Sequence, residues 1–235
     1  SLTRENKSEY HICNKKKPKV IFSAQRYNKK LNYSTFCSFF LHLCNICCTF
    51  AQNSKNMRHI ILIAESGDFI GEKKLIAQHL NGEWRDGVWH MNGKDWEVLV
   101  TGVGAINVMH ALRDIPRDAN LINIGYAGSA NFDIGSVVQV THARLNHPAV
   151  QYPEPELPLQ LVSESLLRDP NACLSAVCYS NTDFVLQSDY RDCVFDMELA
   201  FIAGLGFSSL ASIKIVSDNL SLHTYREVAA GVDEV

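Results

Sequence analysis

From residue 57 onward the apolar positions of this chain fall into two rhythms. Short continuous runs rich in β-branched residues, "HIILIA" at 59–64, "NLINIG" at 120–125, "SVVQVTHARL" at 136–145 and "SLASIKIVS" at 209–217, have the length and composition of buried strands. Further strands are expected at 175–180 and 193–197. Between these runs the spacing turns helical. Ile70, Lys74, Leu75, Gln78 and His79 mark an amphipathic helix ending near Asn81-Gly82, and Ile106, Met109, His110 and Arg113 mark a second over 105–113. "ELAFIAGLG" at 198–206 has the length of a crossover helix closed by Gly204 or Gly206. Asn92-Gly93 lies between two strand-like runs and predicts a hairpin, because both turn residues tolerate positive φ. The proline-rich piece at 147–158 predicts a loop, since proline removes donors and fixes φ. Strands alternating with helices predict an α/β fold in three layers, α/β/α, around a central mixed, largely parallel sheet.

Composition divides the chain at the same point. Up to residue 56 there are ten Lys and Arg against two Asp and Glu; after it there are twelve against twenty-three. Five of the eight cysteines also precede Met57. The apolar run at 36–51, broken by His42 and Asn45, is short for a membrane span and far along the chain for a signal peptide. The expectation is that Met57 is the natural start, that residues 1–56 form a basic, cysteine-containing extension outside the fold, and that 57–235 form one domain. Cys44 and Cys47 make one C-x-x-C, but no second pair follows at zinc-finger spacing, so no metal is expected. An acidic body argues against nucleic acid as the partner, and no membrane association is expected.

Parallel α/β sheets carry their chemistry in the loops after strand ends. Four such loops hold small or acidic residues: "AESGD" at 64–68, "TGVG" at 101–104, "GYAGS" at 125–129 and "VSDN" at 216–219. Two acids sit beside apolar runs, Glu198 in "FDMELA" and Asp218 in "IKIVSDN". A buried carboxylate without a partner is costly, so each calls for a hydrogen-bond donor or a ligand. Local alternatives exist: Glu198 as a helix N-terminal acid, Asp218 as the cap of a helix beginning after it, and Asp68 as the cap of a helix near Phe69.

Taken in order, "IILIAESGD", "VTGVGAINV", "INIGYAGSANFDIGSVVQVTHAR", "DFV", "FDMELA" and "IKIVSDN" resemble the nucleoside phosphorylase and nucleosidase superfamily, most closely its methylthioadenosine/S-adenosylhomocysteine nucleosidase type. The resemblance implies cleavage of a purine–ribose N-glycosidic bond, with no metal and no organic cofactor. Asp218 would protonate or hydrogen-bond purine N7, with Ser217 beside it. Glu198 would accept the ribose hydroxyls and favour the cationic sugar, and Met197 would lie against the ribose. Phe184 would stack on the base and Val185 supply backbone contacts. Gly104, Tyr126, Ala127 and Gly128 would form the wall of the pocket. Asp68, or alternatively Glu65, would orient the attacking water.

Within that family a phosphorylase would place Arg and Ser where this chain has Asn123 and Tyr126, and its first loop would carry Gly-Asp-Pro. Asn123 suits the hydrolase branch, whereas Tyr126 fits neither. The short stretch between His147 and Phe195 and the short segment after Asp218 are further departures. A phosphorolytic enzyme and a nucleoside-binding relative without turnover therefore remain the alternatives. The resemblance also implies a cytoplasmic homo-oligomer, a dimer, whose partner is a small-molecule purine nucleoside.

Overall fold

A computed structural model describes residues 57–65, 72–73, 81–86, 88–93, 95–146, 156–161 and 173–231. The extension at 1–56 and Asp68 lie outside the described residues, as does the first expected helix apart from Glu72 and Lys73, which are helical.

Strand β1 (His59–Ile63) is buried at every position, as its unbroken apolar run requires. It pairs in parallel with β4 (Trp96–Val100) on one side and β5 (Asn120–Gly128) on the other. Side chains alternate: Ile61 and Ile63 join one core with Trp96, Val98, Ile122, Ile124, Ile213 and Ile215, while Ile60 and Leu62 join the other. Helix α1 (Ala105–Leu112) and helix α2 (Leu199–Gly204) cover that second face with Val108, Leu112, Leu199 and Ile202.

The Asn92-Gly93 hairpin forms between β3 (Val88–Met91) and β4. A further strand, β2 (Gly82–Arg85), pairs with β3 where the helix was expected to end. The remaining strands are β6 (Val137–Leu145), β7 (Leu157–Pro158), β8 (Cys173–Ser180), β9 (Cys193–Asp196) and β10 (Ser209–Asp218), followed by helix α3 (Leu222–Gly231). Residues Leu157 and Pro158, inside the expected loop, pair with the β6 edge, a position where proline is tolerated.

The layered expectation needs revision. Strands β10, β6, β8, β9 and β5 are linked in that order, and β10 also pairs with β5, so among the described residues these five close into a ring. Antiparallel contacts of β10 with β6, and of β5 with β9, make the closure, and the sheet is more mixed than expected. Irregular register in β6 after Val140 and in β10 after Val216 bends both strands, which is how a sheet turns a corner. The fold is α/β, with a barrel-like sheet in place of an open one between helical layers.

Candidate active site

The carboxyl ends of β5, β9 and β10 open onto one cleft of about 350 Å3. Ala64 after β1 and Val103 after β4 border it, as do the segment Asp183–Val185 and, from the last helix, Leu222 and Tyr225. Of the residues singled out from sequence, Tyr126, Ala127, Gly128, Phe184, Val185, Met197, Glu198, Ser217 and Asp218 all line this space. The two acids that stand twenty residues apart in sequence share it.

Glu198 reaches the cleft because other groups satisfy the start of α2. It occupies the N-cap position but makes no capping bond. Instead Asp196 accepts the Leu199 N–H (3.0 Å) and Ser180 Oγ accepts the Ala200 N–H (2.8 Å), supplying partners for donors that a helix start leaves open. The Glu198 carboxyl is thereby available to accept the Gly104 N–H at Oε1 (2.7 Å) and the Met197 N–H at Oε2 (3.2 Å). Gly104 has φ 85°, a conformation that favours glycine, at the turn whose N–H meets the Glu198 carboxyl. Gly104 thus acts behind Glu198 and is not part of the lining. Burial first, and then the negative charge of Asp196, push the Glu198 pKa up to about 7, against Lys214 and the two backbone donors.

Asp218 is 1% exposed at the end of β10. Its Oδ2 accepts the Ser217 hydroxyl (2.8 Å) and its Oδ1 accepts the Ser221 N–H (3.2 Å). The capping alternative therefore holds in part: the acid serves the start of α3 and still lines the cleft. Gly128 makes this possible, since a Cβ there would lie 2.9 Å from Asp218 Oδ1. Burial raises the Asp218 pKa, opposed by the Ser217 hydroxyl and by the backbone donors of Ser221 and Leu220. Around it the wall is apolar and aromatic. The Phe184 ring lies 5.7 Å from Tyr225, and Tyr225 meets Tyr126 edge-on at 6.5 Å.

Sequence reasoning gave no role to four charged residues of the cleft, Glu72, Asp183, Asp196 and Lys214. Glu72 is 5% exposed and lines it. Burial first pushes its pKa up to about 8; Glu198 and Glu65 add to the rise, and Lys214 and the Tyr126 backbone N–H oppose it. Its Oε2 is buried with no hydrogen-bond partner among the described residues. Lys214, 1% exposed in the middle of β10, places Nζ 2.7 Å from Asp196 Oδ2, and both residues line the cleft. Burial works to lower the Lys214 pKa, but the Asp196 carboxylate overrides it and raises the value. Glu65, one of the two acids expected to orient water, accepts the Lys73 N–H (2.9 Å) and is not among the cleft residues. A lysine inside the apolar run "SIKIVS" was the available signal for a buried pair; for Glu72 no local signal distinguishes it from Glu65 and Asp68.

Among the described residues no group of three or more His, Cys, Asp or Glu could hold a metal ion, and no helix is long and apolar enough to cross a membrane. Cys173, Cys178 and Cys193 are free thiols.

No protein-family model matches the sequence, and no curated protein matches it. Solved structures do. The MTAN of Chlamydia trachomatis is similar with a TM-score of 0.58 at 18% identity, over 76% of this chain and 92% of that one. The same bacterium's enzyme has also been solved bound to adenine. The 5′-methylthioadenosine/S-adenosylhomocysteine nucleosidase of S. pneumoniae, solved with a transition-state inhibitor, gives 0.57 at 19% identity, over 74% and 94%. That of Neisseria meningitidis, in complex with methylthio-immucillin-A, gives 0.54 at 18%, over 75% and 95%. This chain therefore shares the fold of these solved methylthioadenosine/S-adenosylhomocysteine nucleosidases.

Proposed function

We propose that the protein hydrolyses the N-glycosidic bond of a purine nucleoside of the methylthioadenosine or S-adenosylhomocysteine type and releases the free base. The observation that carries this reading is that Glu198, Asp218 and Phe184, supplied by three separate segments, line one cleft. Asp218, whose burial favours the protonated form, donates to purine N7 as the C1′–N9 bond breaks and its electron pair leaves with the base. Glu198 accepts the ribose hydroxyls, and its negative charge favours the oxocarbenium-like sugar. Met197 packs on the ribose, Phe184 stacks on the base and Val185 offers backbone contacts beside it. Glu72 takes the role first expected of Asp68 or Glu65: its buried Oε2 accepts a proton from the water whose oxygen bonds to C1′.

Charge favours water over phosphate as the nucleophile. Among the described residues the cleft holds Glu72, Asp183, Asp196, Glu198 and Asp218 against a single cation, Lys214, already engaged by Asp196. Among the described residues no arginine lines it, whereas holding a phosphate dianion calls for bidentate or multiple charged donors. Self-association belongs to the same reading. Ile106 and Met109 on α1 are 79% and 46% exposed, one helical turn apart, on the helix that follows Val103 and Gly104 at the cleft. A second copy would cover them, which light scattering of the full chain tests; a monomer at all concentrations would refute it. The free cysteines are compatible with a reducing, cytoplasmic setting.

The deciding experiment is chromatographic detection of adenine after incubating the full chain with methylthioadenosine or S-adenosylhomocysteine, with and without phosphate. Release independent of phosphate is expected. A strict phosphate requirement would establish phosphorolysis instead. Binding without release, unchanged in Asp218→Asn, would establish a nucleoside-binding protein without turnover.

A further inference from the structure

The end of β5, from Gly125 to Gly128, carries one bulky side chain among small ones. All four residues line the cleft, and Tyr126 alone brings a ring into it. That ring is fixed from two sides. Within β5 Tyr126 stands opposite Ile215 of β10, and its half-buried side chain packs against the core that holds Ile63, Ile124, Ile213 and Ile215. From α3 the Tyr225 ring meets it edge-on at 6.5 Å, and Tyr225 in turn lies 5.7 Å from Phe184. A ring packed on both a sheet core and a second aromatic has little freedom to swing aside. Tyr126 therefore lies one aromatic ring away from Phe184. Its neighbour Gly125 lies against Glu72, since a Cβ there would be 3.1 Å from Oε1.

We propose that Tyr126 is a specificity-determining residue whose ring limits the length of the nucleoside's 5′-substituent, admitting methylthio and excluding longer chains such as the homocysteinyl tail. The orientation of the ligand in this inference rests on the nucleosidase reading. With the base on Phe184 and Asp218 and the ribose hydroxyls on Glu198, C5′ is the remaining direction of growth. Tyr126, Tyr225 and Leu222 are cleft residues that neither the base nor the hydroxyls engage. Two aromatic rings suit a short thioether, because sulfur is attracted to ring edges at about 5 Å. A longer chain would have to displace a ring that the core and Tyr225 hold, and overpacking of that kind is resisted. Charge adds to the exclusion of the homocysteinyl tail. Its carboxylate calls for a cation, and among the described residues the cleft offers only Lys214, held by Asp196 at 2.7 Å. The ring accounts for length, whatever the charge.

The test compares three 5′-substituents on adenosine: methylthio, propylthio, which is long and uncharged, and the homocysteinyl tail, which is long and charged. The full chain is used, with kcat/KM read from adenine release, or Kd from calorimetry where no base is released. The unmodified protein should prefer methylthio to propylthio by about 10- to 200-fold, the discrimination that shape alone achieves in an apolar pocket. Tyr126→Phe keeps the ring and should preserve that ratio, whereas Tyr126→Ser should abolish it. If the serine variant does not fold, Tyr126→Leu, smaller and still apolar against the same core, should reduce the ratio. A merely structural role would lower all three values together and leave the ratio unmoved. Equal use of methylthio and propylthio by the unmodified protein, or a ratio unchanged in the serine and leucine variants, would overturn the proposal. Rejection of the homocysteinyl tail alone would assign selectivity to charge and overturn it as well. Affinities in the expected order without base release would refute the nucleosidase reading and leave the length limit standing; base release without discrimination would do the reverse. Binding of none of the three would refute both.

Discussion

The two ends of the cleft stabilise their acids by opposite means. At the proposed sugar end Glu198 accepts two backbone N–H groups, and Lys214 and Asp196 line the same cleft as a buried ion pair. At the proposed base end Asp218 has one hydroxyl and neutral backbone donors, with Phe184, Val185 and Leu220 also lining the cleft and no cation there among the described residues. Burial raises both pKa values; at Glu198 Asp196 adds to the rise and Lys214 and two backbone donors oppose it, while at Asp218 only hydrogen-bond donors do. On the nucleosidase reading proposed above, the two environments would serve two tasks, holding negative charge beside the sugar and delivering a proton to the base. Environment, not residue type, separates the roles.

The sharpest way to break this contrast is to remove the proton at the base end. Asp218→Asn keeps the shape and loses the acid, and should lower kcat by about 10²- to 10⁴-fold while binding of adenine persists. Unaltered turnover would remove Asp218 from the chemistry. At the sugar end Glu198→Gln should cost about 10²- to 10³-fold in kcat/KM, read in the same adenine-release assay, because it removes charge where the cation develops. Thermal stability gives a third measure. Glu72, Glu198 and Asp218 all have pKa values raised on folding, the first from 4.5 to about 8 and the second to about 7. The folded state keeps protons that the unfolded chain has released, so stability is full below pH 4.5 and is lost as pH rises toward 8. Melting temperature should accordingly fall between pH 5 and 8, and Glu72→Gln should flatten the slope; a level profile would contradict burial of these acids. Gly125→Ala intrudes a methyl 3.1 Å from Glu72 Oε1 and should cost about tenfold in kcat through misplacement, with little change in adenine affinity. The smallest effect is expected from Ser217→Ala, which removes a donor that favours ionised Asp218 and should change kcat less than tenfold while raising the pKa of that acid.

What the sequence disclosed followed from local rules. Glu198 and Asp218 stood out because each adjoined an apolar run, and the Asn92-Gly93 turn announced its hairpin. Strand β2 was missed although Asp86-Gly87 is itself a hairpin dipeptide, because the preceding helical spacing was carried up to Gly82. Glu72 could not be singled out. Acids at 65, 68 and 72 all follow the first strand, and nothing local in the sequence tells that of the two described, Glu65 and Glu72, it is Glu72 that enters the cleft. Lys214 was legible in principle, since a lysine in a strand buried on both faces must have a counter-charge, and "VFDMEL" offered one. Ring closure was not legible, because it rests on pairing between β10 and β6 across a long separation and on bends that no short motif declares.

Strand β10 is gripped on both flanks, by β5 along nearly its whole length and by β6 at its middle, Ile213 to Ile215. Its phase therefore cannot drift on one flank without tearing the other. Inserting or deleting a single residue ahead of Lys214 would turn isoleucine into the place of the ammonium and drive the charge into a hydrocarbon layer. Homologous chains should thus tolerate changes of length in the turns around this strand far more readily than any change of length within it.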